Sequence, residues 1–221
     1  MRTPRLVVAC SLAAALLGCA TAPQADKYAK FIAANPRSIL IVPPVSKTVN
    51  IDAPAYFLST IPIPVAERGY YVFPVNMVKR VLEDDGLADA SLVQKADPVR
   101  LCKIFGSDAV IYVTIEQWDA KYMVLSTSVT VELGYVMKDG KTGDTIWKAK
   151  EGMTYSSDSG SSGSLLASAI SAAVEKAAPS YIPLARRVND EALAYPGSGF
   201  PAGPYSSEYR KDIAGVAPAA K

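Results

Sequence analysis

The chain has 221 residues, 23 basic against 21 acidic, with 50% of its residues hydrophobic and no histidine. So even a balance supplies no basic face, which excludes nucleic-acid binding as the main activity. The missing imidazole removes the commonest general base near neutral pH, the usual zinc ligand and every Ser-His or Cys-His nucleophile pair.

Arg2 and Arg5 form a positive front, and an apolar run extends from Leu6 to Leu17. Spanning a bilayer takes ~20 apolar residues. The run is shorter and reads as the core of a secretory signal. It closes on Leu16-Leu17-Gly18-Cys19, which looks like the bacterial lipobox. That resemblance implies diacylglycerol transfer to the Cys19 thiol, cleavage before Cys19 and acylation of the new amino terminus. Residues 1–18 are thus read as a lipoprotein signal peptide. Taking 18 residues from 221 leaves 203, enough for one domain with extensions. Taking Arg2 and Arg5 from the 23 basic residues leaves 21, equal to the acidic count. Ala20, where an aspartate would otherwise stand, resembles the outer-membrane sorting signal of enteric-type envelopes. No second apolar run approaches spanning length, so the lipid is expected to be the only anchor. Cys10 leaves with the signal and Cys19 carries lipid, so Cys102 has no intramolecular partner. Its neighbours Leu101 and Phe105 favour a small buried hydrophobe over a reactive thiol.

Residues 19–37 read as a tether and an amphipathic helix over Asp26 to Ala34, with Tyr28, Phe31 and Ile32 on one face and Asn35-Pro36 as its stop. Ser38 to Val42 is a strand apolar enough to be buried on both sides, ended by Pro43-Pro44. Asp52-Ala53-Pro54 signals a helix start. Pro62 and Pro64 break or kink that helix, which resumes over Val65 to Arg68. Tyr70 to Phe73 is an aromatic, β-branched strand. Asn76 is placed as the cap of a helix carrying Met77, Val78, Val81 and Leu82, stopped by Gly86. Asp97-Pro98 opens another helix, stopped by Gly106. Ala109 to Trp118 is the strongest strand. Met123 to Met137 alternates with period two, a long half-buried antiparallel strand, and Asp139 to Gly143 turns it onto a third strand over Thr145 to Tyr155. Ser156 to Ser164 is a serine/glycine linker. Leu166, Ile170 and Val174 mark a small-residue helix, and Ile182 to Ala194 a last one. Residues 195–221 read as a Pro/Gly-rich strap or tail. The fold class expected is α/β (α+β): one domain over 38–194, a mixed five-stranded sheet with a three-stranded antiparallel meander, and helices on its faces.

Little of the sequence carries chemistry. Glu83-Asp84-Asp85 could supply paired carboxylates, as glycosidases use, yet they sit at a helix end before a glycine and read as solvated charge. Gly140-Lys141-Thr142-Gly143 is not a phosphate loop: Tyr135 stands where the first glycine belongs, and the segment joins strands instead of opening a helix. Asp97 and Asp108 read as cap and turn residues. Tyr70, Tyr71 and Phe73 in a strand, and Tyr195, Phe200, Tyr205 and Tyr209 in the tail, fill the core and make strap contacts, or else form a partner-binding surface. No catalytic, cofactor or metal residue is assigned.

Several runs in combination carry a family resemblance: Ile39-Leu40-Ile41-Val42-Pro43-Pro44, Asp52-Ala53-Pro54, Leu58-Ser59-Thr60, Pro64-Val65-Ala66-Glu67, Gly69 to Val75, Ile104 to Val110, Thr142-Gly143 before Trp147, and Ala202-Gly203-Pro204-Tyr205. From about residue 16 to 213 the chain resembles a family of proteobacterial lipoproteins that includes a neisserial surface-antigen candidate. The resemblance implies a fold similar to the N-terminal domain of the Tol-system propeller protein and to the curli-secretion lipoprotein. It also implies neighbouring genes for a lipoprotein similar to that curli component and to the penicillin-binding-protein activator. It transfers one functional residue, Cys19 as the lipid site. The chain departs from the family at Ser206-Ser207, where His-Pro is expected.

The function expected is therefore a lipid-anchored, periplasm-facing outer-membrane lipoprotein, a non-enzymatic accessory or scaffold in an envelope assembly. Its expected partners are the membrane, through lipidated Cys19, and an envelope protein of the curli-secretion-like lipoprotein kind, with homo-oligomers open, no nucleic acid and no cofactor. A small-ligand carrier or sensor in the envelope is the alternative, with a sheet–helix cleft as its site.

Overall fold

The computed structural model describes residues 25–122, 127–156, 181–194 and 199–212. The signal, Cys19 and its tether, residues 123–126, the linker beyond Ser156 with its small-residue helix, and Tyr195 lie outside the described residues.

Helix α1 (Ala25–Ala34) ends at Asn35, whose backbone turns left-handed at φ 44° ahead of Pro36. Tyr28 and Phe31, one turn apart, are each 3% exposed, and Ile32 packs beside them. Strand β1 (Ser38–Ile41) lies between two apolar layers, with Ile39 and Ile41 entering one core and Leu40 the other. Prolines lack the amide a ladder needs, so Pro43-Pro44 interrupt the strand. The chain then resumes as β2 (Val45–Ser46), still beside the same neighbour. The sheet consequently has six strands where five were expected.

Helix α2 (Ala53–Leu58) starts at Asp52 with Pro54 in its first turn. The expected break comes next, but the following helix, α3 (Pro62–Glu67), begins on Pro62 itself. A first-turn proline gives up an amide that no helix would have used. Strand β3 (Tyr71–Val72) pairs with β1 in parallel. Helix α4 (Val75–Asp84) corrects the expected cap: Pro74, not Asn76, holds that position, and its carbonyl accepts from Val78 N–H at 3.0 Å. Gly86 stops the helix with φ 80°. Helix α5 (Ala90–Lys95) was not expected; its six residues are capped by Asp89, whose carboxylate accepts from Ser91 N–H at 2.7 Å. Helix α6 (Pro98–Phe105) opens and closes as read, with Asp97 accepting from Val99 N–H at 3.0 Å and Gly106 left-handed at φ 70°.

Strands β4 (Ala109–Tyr122), β5 (Thr127–Asp139) and β6 (Thr145–Ser156) form the antiparallel meander. On β5, Val129, Val131, Leu133, Tyr135 and Met137 are buried, while Ser128, Thr130 and Glu132 line the other face half-exposed. Two bulges adjust the register. One extra residue at Glu116 lets Trp118 return to the buried face opposite Val131. Another at Ile146 lets both Ile146 and Trp147 bury, each 4% exposed. The sheet order is β3-β1-β4-β5-β6, with β2 beside β4. A larger core on one face gathers α1, α2, α3 and helix α7 (Ile182–Leu193). A smaller core on the other face packs α4, α5 and α6 over Leu40, Val42, Val110 and Tyr112. The β5–β6 half of that second face carries polar and charged side chains such as Glu132, Lys148 and Lys150.

Candidate functional site

The densest set of interactions between distant parts of the chain lies where residues 199–212 cross α1, α3 and β3. Phe200 is fully buried and meets three rings: Phe31 stacked at 5.9 Å, Tyr70 edge-on at 5.3 Å and Trp147 edge-on at 5.3 Å. Around this plug the polar atoms are paired across the chain. Tyr28 donates to the Gly199 carbonyl at 2.6 Å, Tyr70 to the Pro201 carbonyl at 2.6 Å, and Tyr209 to Asn35 Oδ1 at 2.7 Å. Arg68 is the hub. Its guanidinium donates to the Phe200 carbonyl and to Asp212 Oδ2, both at 2.6 Å, and the same Asp212 oxygen accepts from Ala202 N–H. The backbones touch directly: Gly203 N–H donates to the Arg68 carbonyl and Tyr205 N–H to the Gly69 carbonyl. At Gly69, left-handed at φ 87°, a side chain would collide with Ser206, and one at Gly203 would collide with the Gly69 carbonyl. The approach therefore requires glycine on both sides.

This arrangement divides the aromatic set. Tyr70 and Phe200 are core, and Tyr209 makes a strap contact, whereas Tyr71 and Tyr205 stay 53% and 64% exposed. A second polar motif, which nothing in the local sequence signals, crosses the larger core. Tyr135 donates to Asn189 Oδ1 at 2.8 Å, Asn189 donates to Thr60 Oγ1 at 2.9 Å, and Thr60 donates to the Phe57 carbonyl at 2.7 Å. All of these side chains are buried.

The remaining sequence candidates fall into structural roles. Glu83 and Asp84 lie on the exposed face of α4 and pair with Lys79 and Arg80 one turn back. The segment 140–143 is a hairpin turn held to itself, with Thr142 N–H and hydroxyl both donating to Asp139 Oδ2 at 3.0 Å. Asp108 Oδ2 accepts from Arg37 N–H, Ser38 N–H and the Ser38 hydroxyl, fastening the start of β1 to the start of β4. Among the described residues no group of three or more His, Cys, Asp or Glu is placed to hold a metal ion. A groove of about 410 Å³ crosses the polar sheet face at Gln117, Thr130, Glu132, Lys150 and Thr154, and its floor carries the Glu132–Lys150 ion pair. Another of about 300 Å³ lies between α1 and the 139–146 hairpin. Both are open to solvent.

Cys102 is 1% exposed, as the small-hydrophobe reading expects, and burial pushes its thiol pKa up. Burial likewise pushes Tyr70, Tyr112 and Tyr135 far above the ordinary phenol value. These groups are neutral when protonated and hold the proton more tightly folded than unfolded. Their stabilisation is complete below the unfolded pKa, about 8.5 for the thiol and about 10 for the phenols, and is lost as pH rises above it. Alkaline titration is expected to show tyrosinate absorbance and Cys102 reactivity toward a disulfide reagent appearing together with loss of near-ultraviolet dichroism. Ionisation of these phenols near pH ~10 with the fold intact would contradict the buried assignment.

Comparison with known proteins places this architecture. A family model described as "Putative lipoprotein GNA1162-like" matches residues 26–194. The protein described as "Putative lipoprotein NMB1124/NMB1162" of Neisseria meningitidis serogroup B is 33% identical over 159 residues, 72% of this chain and 73% of its own. The crystal structure of lipoprotein GNA1162 from Neisseria meningitidis superposes with a TM-score of 0.55 at 31% identity, covering 64% of this chain and 98% of that one. The PelC dodecamer of Paraburkholderia phytofirmans is more distant, with a TM-score of 0.40 and 17% identity over 56% of this chain and 75% of its own. No helix among the described residues is long and apolar enough to cross a membrane. With the family model spanning α1 to α7 and the neisserial relative matching most of both chains, this protein belongs to the GNA1162-like lipoprotein family.

Proposed function

We propose that this protein is a non-enzymatic accessory or scaffold of an envelope assembly, held by acylated Cys19 at the periplasmic face of the outer membrane. The observation that carries the reading is Leu16-Leu17-Gly18-Cys19 behind a basic front and a short apolar run. Membership of a lipoprotein family supports it. One acyl chain binds a bilayer marginally and two or more bind it stably, so a triacylated cysteine suffices as sole anchor. Ala20 supports export to the outer membrane. The non-enzymatic reading is supported by Glu83 and Asp84, which pair with Lys79 and Arg80 on the surface, and by buried phenols held neutral. The partner is an envelope protein, with a curli-secretion-like lipoprotein as the class the family resemblance suggests.

The test is Cys19→Ala. The variant is expected to leave the membrane fraction and to lose incorporation of labelled palmitate, while its circular dichroism stays native. Retention in the membrane fraction would sink the anchor. In-cell crosslinking of the anchored protein is expected to capture one stoichiometric envelope partner, and capture of the protein alone would count against the scaffold role.

A further inference from the structure

Between Cys19 and the first turn of α1 stand only Ala20 to Gln24. A chain covers at most ~3.3–3.6 Å per residue, whatever its conformation, so this tether reaches about 20 Å. That bound holds only if α1 stays docked. Were α1 to peel away, the chain from Cys19 to Ser38 would serve as tether, and the reach would grow to roughly 65 Å. The docking of α1 thus decides how far the domain can work from its membrane.

Helix α1 lies against β6 and Tyr70, and the strap closes over it. Phe31 is sandwiched against Phe200, Tyr28 is hydrogen-bonded to the Gly199 carbonyl, and Asn35 at the far end is held by Tyr209. The strap is fastened in turn by Arg68, through the Phe200 carbonyl and Asp212, and by backbone contacts of Gly203 and Tyr205 with residues 68 and 69. Helix α1 is therefore clasped at both ends by the C-terminal segment of the same chain. A spacer built to extend would be polar and solvated along its length. Here two aromatic residues of the helix are each 3% exposed.

We propose that the strap sets the reach of the anchor. By clamping α1 it holds the start of that helix within about 20 Å of the bilayer, and the partner it serves is a protein that meets the domain beside that same membrane. This inference rests on the lipid-anchor reading.

Neutron reflectometry tests it, with the full-length lipidated protein in a supported bilayer of phosphatidylethanolamine and phosphatidylglycerol. Protein density is expected to begin within about 20 Å of the headgroups. Phe200→Ala is expected to move it outward. Because that variant is also destabilised, a second one leaves the fold untouched: twelve Gly/Ser residues inserted between Gln24 and Ala25. A flexible insert of that size has a root-mean-square length of about 20 Å and should displace the layer by a similar amount. The insertion should also lower the in-cell crosslinking yield to the partner. A native layer standing beyond the tether's reach, or an insertion that moves neither the layer nor the yield, would overturn the proposal. Absence of the native protein from the bilayer would overturn the anchor itself, so the two failures are distinguishable.

Discussion

Phe200→Ala is expected to cost about 3–5 kcal/mol of folding stability, the range for truncating a fully buried aromatic. The ring is 0% exposed and touches Phe31 of α1, Tyr70 just ahead of β3 and Trp147 of β6. Its loss leaves a cavity bordered by rigid rings, which collapse poorly. The backbone beside it carries the carbonyls that accept from Tyr28 and Arg68, so a shifted strap also weakens those two bonds. Chemical denaturation measures the loss. A change below about 1 kcal/mol would show that residues 199–212 only lie on the domain and are not part of its core.

The second large effect is expected at Asn189. Asn189→Leu fills a similar volume but removes the acceptor for the Tyr135 hydroxyl and the donor to Thr60. A buried hydroxyl without a partner costs about 1–3 kcal/mol, and the lost amide bonds add to it, so a total of about 2–4 kcal/mol is expected. Tyr135→Phe alone leaves only an amide oxygen unpaired and should cost less. The double variant should be more stable than the sum of the two single losses predicts, because the residues act as one unit. Additive losses in that cycle would mean that the hydroxyl and the amide do not interact.

Much of the fold was legible because its signals are local. Period-two alternation fixed β5, and apolar β-branched content marked β1 and β4. An aspartate ahead of a proline marked α6, and glycines that adopt positive φ marked the ends of α4 and α6. The errors have local causes too. Asn76 is a better side-chain cap than Pro74 in isolation. Proline's fixed φ and the turn out of β3, however, place the first helical residue two positions earlier. Helix α5 is a single capped stretch of six residues, too short for an apolar period to show. Strand β2 is two residues long and depends on β4 beside it. What could not be read was distant in sequence. Arg68 gives no hint that it meets Asp212, nor Asn189 that it bridges Thr60 and Tyr135, because such pairings are set by topology and not by periodicity. The one residue proposed for a functional role, Cys19, is marked by its own neighbourhood and owes nothing to the fold.

The clasp between α1 and residues 199–212 also governs when the domain can form. Tyr28 and Gly199 are 171 residues apart, and Asn35 and Tyr209 are 174 apart. Contacts of that separation close late, after the entropy of ordering the whole intervening chain has been spent. A polypeptide emerging amino terminus first presents α1 long before Phe200 arrives to seal the core. Until then Phe31 and Tyr70 lack the ring that seals them, so the core closes only once residues 199–212 have emerged.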